Sequence, residues 1–365
     1  MERRINEVRK RFKDFGIAAF LVSDIVHIRY LTGLKLTEKG DAKLLITKDN
    51  HYLITDARYE EQALKENAEA IIGGSKEQYK KLAELIKNLG GKTGFEAEDL
   101  TFAELRRLKK ELSNSVVPDI LYREFLSPVE NLIENISSIK TREEIKKIRR
   151  VVEITDHIFQ EHILDLLKPG IRETELAAEI SYLGKKHGAE DDAFGLVVLF
   201  GPNSSLPHGD PARIRKLRKG DIIQLDFGYF YQGYCSDFSR VLVLGKPTEE
   251  QKKIHKIVFE AQKRAIETVK PGMKWEELDK IARDFIEENG YKFVHGLGHG
   301  IGIKIHTIPR LGDESKDVLK LNQVFTIEPG IYIPGWGGMR IEDDVLATKD
   351  GCEVLTKSPR NLVII

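Results

Sequence analysis

Residues 7–15 carry apolar side chains at helical spacing, 18–22 read as a buried strand, and 43–46 with 52–55 read as a strand pair around the Asp49-Asn50 turn. Helical patterns follow at 59–65, 77–89 and 102–111. This alternation predicts an α/β domain over residues 1–125, and no site motif stands out within it. Between Ser127-Pro128 and Thr141 the pattern thins, so residues 126–140 read as a linker. At Thr141 a capping box with Glu144 opens a long helix whose Ile145, Ile148, Val152, Phe159 and Leu166 fall at helical spacing, which starts a second domain at 141–365. The basic run Lys146, Lys147, Arg149 and Arg150 lies opposite that stripe and next to Glu143 and Glu144, as a solvated helix face does.

The second domain repeats itself at an offset of 102 residues. Lys168-Pro169-Gly170 recurs as Lys270-Pro271-Gly272, Glu175-Leu176 as Glu277-Leu278, and Gly188 as Gly290. In the same register Asp226 falls on Glu328, Ile222 on Val324, Ile223 on Phe325, Leu225 on Ile327 and Gly228 on Gly330. Each half reads as a helix ended by Lys-Pro-Gly, a second helix ended by Gly, and strands that carry one carboxylate. Two such halves are expected to pack as a pseudo-twofold α+β unit, with the matched carboxylates meeting near the axis.

Those strands concentrate acids in apolar surroundings. Residues 222–230 and 234–244 read as strands around Tyr231-Gln232-Gly233, and a regular register sets Asp226 opposite Asp237. A second hairpin, 324–328 with 339–346 over Pro334-Gly335-Trp336-Gly337-Gly338, sets Glu328 opposite Glu342. Two facing carboxylates ~4.5 Å apart repel by roughly 4 kcal/mol at an effective dielectric of 20. Two such pairs in one core require cations. His299, in Gly298-His299-Gly300-Ile301-Gly302, supplies an imidazole with neighbours small enough for close approach. Four carboxylates and one imidazole make an oxygen-rich site for two divalent metals, favouring Mn, Co or Fe over a thiolate-seeking ion. A metal pair of this kind lowers the pKa of a shared water and clamps the oxygens of a carbonyl addition, so amide hydrolysis is the expected reaction. His208, His295 and His306 lie in nearby loops as candidates for hydrogen bonds to a carbonyl or leaving group. Arg310 is either a bidentate partner for a substrate carboxylate or a surface residue.

Composition narrows the class without identifying it. The chain has 365 residues, 41% of them hydrophobic, with Lys plus Arg (58) equal to Asp plus Glu (58). That size predicts two domains, and the charge balance argues against non-specific nucleic-acid or membrane binding. No apolar stretch approaches the ~18 residues of a membrane span. Cys235 and Cys352 are too few for a disulfide scaffold, which fits a reducing cytoplasm. A charged fraction of 32%, with few Cys and Met, suggests a protein from a hot environment.

Leu206-Pro207-His208-Gly209, Leu225-Asp226-Phe227-Gly228, Ser236-Asp237-Phe238-Ser239-Arg240, Gly298-His299-Gly300-Ile301-Gly302, Glu328-Pro329-Gly330 and Arg340-Ile341-Glu342-Asp343 together resemble the pita-bread metallopeptidases, in their prolidase and aminopeptidase P branch. The first domain, with Ile28-Arg29-Tyr30-Leu31-Thr32-Gly33, resembles the creatinase-type domain that precedes them. The resemblance implies two metals on Asp226, Asp237, His299, Glu328 and Glu342, with Asp237 and Glu342 bridging. It also implies that Glu328 orients or deprotonates the water, that His208 and His306 lie near the scissile carbonyl, and that His295 supports them. The implied substrates are dipeptides or peptides cleaved between an N-terminal residue and a following proline, by a homodimer. The first domain, or that of a second subunit, is expected to close the cleft beyond the proline. Thr307 departs from the family, which usually has Glu after the histidine matched by His306. Methionine aminopeptidases share the five ligands but normally lack a domain like residues 1–125. A metal-free creatinase-like enzyme or binding module would have lost the ligands, and this chain keeps all five.

Overall fold

The structure is a computed structural model that describes every residue except 67–69, 114–124, 313, 314 and 316. It divides into two compact units, Met1–Ile136 and Ser137–Ile365. In the first unit the elements run α1 (Glu2–Lys10), α2 (Phe12–Phe15), β1 (Ala19–Val22), α3 (Ile25–Thr32), β2 (Ala42–Thr47), β3 (His51–Thr55), α4 (Glu60–Lys65), β4 (Ala70–Ile72), α5 (Ser75–Lys87), β5 (Thr93–Glu96), α6 (Phe102–Leu112) and β6 (Leu126–Val129). The strands form one six-stranded sheet in the order β4-β3-β2-β1-β5-β6. β1 and β2 are buried along their whole length, as strands covered on both faces are.

The linker reading of residues 126–140 is corrected here. Leu126–Val129 is the sixth strand, parallel to β5, and α7 (Leu132–Ser138) spans the point of division between the units. Pro128 thins the sequence pattern, yet it is tolerated because β6 lies at the sheet edge, where a missing N–H need not break a ladder.

In the second unit the capping box holds: Thr141 Oγ1 accepts from Glu144 N at 3.3 Å and Glu144 Oε2 accepts from Thr141 N at 2.7 Å. It opens α8 (Arg142–Ile158), which runs through a π-helical turn at Phe159–Ile163 into α9 (Leu164–Leu166), and α10 (Glu173–Lys186) follows. Next come β7 (Asp191–Asp192), β8 (Val197–Phe200), β9 (Ile222–Asp226), β10 (Tyr229–Tyr231), β11 (Tyr234–Cys235) and β12 (Ser239–Val243). The second half repeats the plan with α11 (Glu249–Thr268), α12 (Trp275–Glu288), β13 (Gly298–Gly300), β14 (Thr307–Leu311), β15 (Val324–Ile327), β16 (Gly330–Ile333), β17 (Gly337–Arg340) and β18 (Asp343–Thr348). β19 (Gly351–Val354) and β20 (Val363–Ile364) complete it.

The offset of 102 residues is visible in three dimensions. α10 and α12 start and stop at matched positions, and α9 and α11 end at matched positions. The isolated bridge Arg172↔Lys216 recurs as Lys274↔Val318. Each half buries its own apolar cluster, Leu176, Ile180, Leu225 and Phe227 in one and Leu278, Ala282, Phe325 and Ile327 in the other. The sheets β20-β12-β9-β8 and β14-β13-β15-β18-β19 are joined where Glu342 N donates to Ser239 O at 3.1 Å. This is the pita-bread fold, with its internal repeat.

Helix and sheet meet closely at Gly184 on α10, where an added Cβ would lie 2.1 Å from the ring of Tyr229. That ring is pinned, because Tyr229 Oη donates to Ile180 O at 2.8 Å. Alanine gains about 1 kcal/mol of helix propensity over glycine. Forcing a buried ring aside costs about 1–3 kcal/mol, and a clash this short sits at the upper end. Gly184→Ala is therefore expected to lower the stability to thermal or denaturant unfolding, and an unchanged or raised midpoint would contradict this packing.

Candidate active site

The acids are positioned by hairpin register. In the first half Phe230 pairs with Cys235 and Tyr231 with Tyr234, across a two-residue turn in which Gln232 and Gly233 have φ of 48° and 78°. Positive φ at both central residues is the requirement of a type I′ turn, which Gly233 meets without cost. Beyond a short break the same register sets Asp226 opposite Ser239. The expected opposition of Asp226 and Asp237 is thus corrected. Asp237 lies two residues before Ser239, diagonal to Asp226 on the same face, because the turn is centred between Gln232 and Gly233, one residue beyond the centre that opposing the two acids requires. In the second half Val324↔Leu346 and Gly330↔Arg340 carry one register through the break, and it sets Glu328 opposite Glu342 as expected.

The resulting cluster is strongly anionic. Asp237 and Glu342 are only 5% and 1% exposed. Burial pushes both carboxyl groups well above the usual range. The charges of Asp226 and Glu328 add to the shift in each case, against the opposing pull of Arg340. Burial likewise pushes Glu328 up to about 7, with Arg340 opposing and Asp226 adding. Arg340 Nη2 donates to Asp226 Oδ2, Nη1 to Tyr332 Oη at 2.7 Å and Pro207 O at 3.0 Å, and Nε to Ser239 Oγ at 2.9 Å. Ser239 Oγ in turn donates to Glu342 Oε2 at 2.9 Å. One guanidinium does not balance four carboxylates. Asp226 Oδ1 and Glu342 Oε1 are buried without a hydrogen-bond partner, so the donor set is incomplete as it stands.

His299 completes the arrangement. An added Cβ at Gly298 would meet Thr326 O at 2.2 Å, and one at Gly300 would meet Ile308 O at 2.2 Å, so only glycine lets β13 approach its neighbours this closely. His299 Nε2 lies 3.4 Å from both Asp237 Oδ2 and Glu328 Oε1. Burial, and then the neighbouring His306, lower the imidazole pKa to about 3, so the ring is neutral at neutral pH. If Nδ1–H donates to Gly300 O, 3.3 Å away, the Nε2 lone pair faces carboxylate oxygens. That contact is repulsive unless a cation intervenes. One ligand atom each from Asp237, His299 and Glu342 lies within 4.8 Å of the others. The orphaned oxygens, the lone pair and the O-rich donor set fit divalent metal ions.

The four acids, the four histidines His208, His295, His299 and His306, and Arg340 line one cleft of about 400 Å³. The rings of His299 and His306 are 4.2 Å apart, and His208 and His306 are exposed at the cleft surface. Burial, with Arg340 nearby, lowers the His295 pKa to about 4, and its Nε2 lies 3.1 Å from Tyr332 Oη. Arg310 is exposed on β14 opposite His299 and is not part of the cleft lining. Thr307 is buried and pairs with Gly300.

Three contributors were not singled out from the sequence. Arg340 and Ser239 stand inside the quoted motifs without an assigned role, and both are buried polar residues one to three positions from a ligand acid. Tyr332 joins His295 to Arg340. A polar residue in an otherwise apolar strand next to a ligand was the available signal for Arg340 and Ser239; Tyr332 on β16 offered none.

Comparison with known proteins agrees with this arrangement. The model of Metallopeptidase family M24 matches residues 146–349, and that of the Creatinase/Prolidase N-terminal domain matches residues 4–123. A Xaa-Pro dipeptidase of Pyrococcus furiosus is 37% identical over 365 residues, covering 100% of both chains. Among solved structures, the Xaa-Pro dipeptidase from Bacillus anthracis superimposes with a TM-score of 0.91 at 37% identity, covering 100% of this chain and 99% of that one. The X-Pro aminopeptidase from Thermotoga maritima does so with a TM-score of 0.86 at 34% identity, covering 98% of this chain and 100% of the other. With the pita-bread fold, the paired acids and His299 in one cleft, and matches along its whole length, the chain belongs to metallopeptidase family M24.

Proposed function

We propose that the protein hydrolyses the bond between an N-terminal residue and a following proline. The observation that carries this reading is the convergence of Asp226, Asp237, His299, Glu328 and Glu342, with unpartnered oxygens, in a histidine-lined cleft. The proline specificity is supported by relatives of that name that match over the full length of the chain. In this reading the five residues would hold two divalent ions, Mn or Co, with Asp237 and Glu342 contributing to both. Ions bound there supply Lewis acidity and a lowered pKa for the attacking water.

The chain's own groups do the rest. Glu328 takes the proton of the attacking water on a carboxylate oxygen. It then returns a proton to the departing proline nitrogen, which carries no hydrogen of its own in the intact bond. His208 donates a hydrogen bond to the carbonyl oxygen as charge develops there, with His306 alongside it. His295 holds Tyr332, which accepts from Arg340, and Arg340 fixes Asp226 and Ser239.

The deciding assay compares Gly-Pro, a proline-containing tripeptide and a Met-Ala peptide. Turnover of the first two without the third is expected. Cleavage of Met-Ala alone would establish the methionine-aminopeptidase reading instead.

Three further outcomes follow from the site. Chelation is expected to abolish activity and Mn or Co to restore it; full turnover by protein shown to be metal-free would overturn the mechanism. Asp237→Ala or Glu342→Ala is expected to cost more activity than His295→Ala, because a supporting partner of the site typically contributes only ~10 to 100-fold. Equal, mild losses at the three positions would show that the shared ligands lie elsewhere. His208→Ala is expected to keep its metal content and melting temperature while losing roughly 100-fold or more in kcat, the scale of one lost oxyanion donor. A destabilised but fully active variant would remove His208 from the mechanism.

A further inference from the structure

Outside the cleft the second unit brings together three histidines from two helices. His157 lies near the end of α8, His162 lies in the π-helical turn Phe159–Ile163, and His187 follows α10. Their ring centroids are 5.4 Å apart for His157 and His162, 4.9 Å for His157 and His187, and 4.9 Å for His162 and His187. One ring nitrogen from each can be chosen so that all three lie within 4.8 Å of one another. His162 Nε2 is buried without a hydrogen-bond partner.

The backbone between them explains the convergence. In a regular α-helix residues five apart point about 140° away from each other, so His157 and His162 would not share a face. The π turn closes i→i+5 bonds and brings the fifth residue back over the first. The duplicated half serves as an internal control. There α11 is one uninterrupted helix, and the positions 102 residues on are Phe259, Arg264 and Asn289. Neither the π turn nor the imidazoles are part of the repeat's common packing.

We propose that His157, His162 and His187 form a separate metal site for a borderline divalent cation such as zinc. Three neutral imidazoles are a donor set for Zn, Cu or Ni and a poor one for Mg or Ca. A tetrahedral ion with bonds of about 2.05 Å needs donor nitrogens about 3.4 Å apart, a closure within reach of side-chain rotation from 4.8 Å. His157 is exposed, so the fourth position opens to water, and the ion fastens the π turn to the end of α10. The inference is independent of the substrate assigned to the cleft.

The test is equilibrium dialysis of the purified full-length enzyme against micromolar ZnCl2, with zinc counted by elemental analysis, for the wild type, His157→Gln and His187→Gln. His157 is exposed, so its substitution leaves the fold intact. The wild type is expected to hold one zinc more than either variant, with affinity for that ion falling at least about tenfold on loss of one ligand. Peptidase activity before zinc addition is expected to be equal in all three proteins, and a zinc-dependent rise in melting temperature is expected to be larger in the wild type. The same zinc count and affinity in all three, or no saturable ion lost on substitution, would overturn the proposal.

Discussion

Four carboxylates facing one another in a low-dielectric cleft constrain the architecture of the second unit. Burial and mutual repulsion raise the pKa of Asp237, Glu328 and Glu342, and Arg340 offsets only part of that field while holding Asp226. The two hairpins must be rigid enough to keep the acids together against repulsion. Much of that rigidity is local: Asp344 accepts from Asp237 N, Ser239 links Arg340 to Glu342, and Arg240 donates to Asp343 and to the Ser358 and Pro359 carbonyls. Removing any one of these partners would leave a buried polar group unpaired, which costs more than the bond itself contributes.

Duplication supplies the frame on which this is built. Each half buries its own apolar cluster behind its own sheet, so neither hairpin depends on the repulsive cleft for its stability. The catalytic geometry then needs only two registers and the Ser239–Glu342 bridge that joins the sheets. The strand breaks at 227–228 and 328–329 fall directly beside the ligands, where a continuous ladder would have held the acids flat in the sheet.

How much of this was legible in the sequence differs by element. The Glu328–Glu342 register could be read because the turn centre at Gly335 is marked by flanking glycines and a proline. The Asp226–Asp237 register could not, since Tyr231-Gln232-Gly233 does not reveal where the turn is centred, and a centre one residue off moves the partner by two positions. The repeat located Asp226 and Glu328 without knowledge of the turns, but it matches neither Asp237 nor Glu342 to an acid. Arg340 and Tyr332 escaped because their roles depend on which side chains converge across the fold, not on spacing along a strand. The edge strand at Leu126–Val129 escaped because Pro128 is a breaker signal whose meaning changes when the strand has only one neighbour.

The same distinction accounts for the histidine trio. Apolar periodicity reports which face of a helix is buried, and it assumes 3.6 residues per turn. A π turn violates that assumption locally, so two histidines that the pattern sets on different faces become neighbours, and a third arrives from a helix end thirty positions away in the fold's order. The matched half keeps a regular helix at this place, which shows that the core does not require the irregularity. The inner faces of the duplicated halves are held to one design by packing and by the acid cluster. Their outer helices are free of that constraint, and there the two copies have diverged in chemistry.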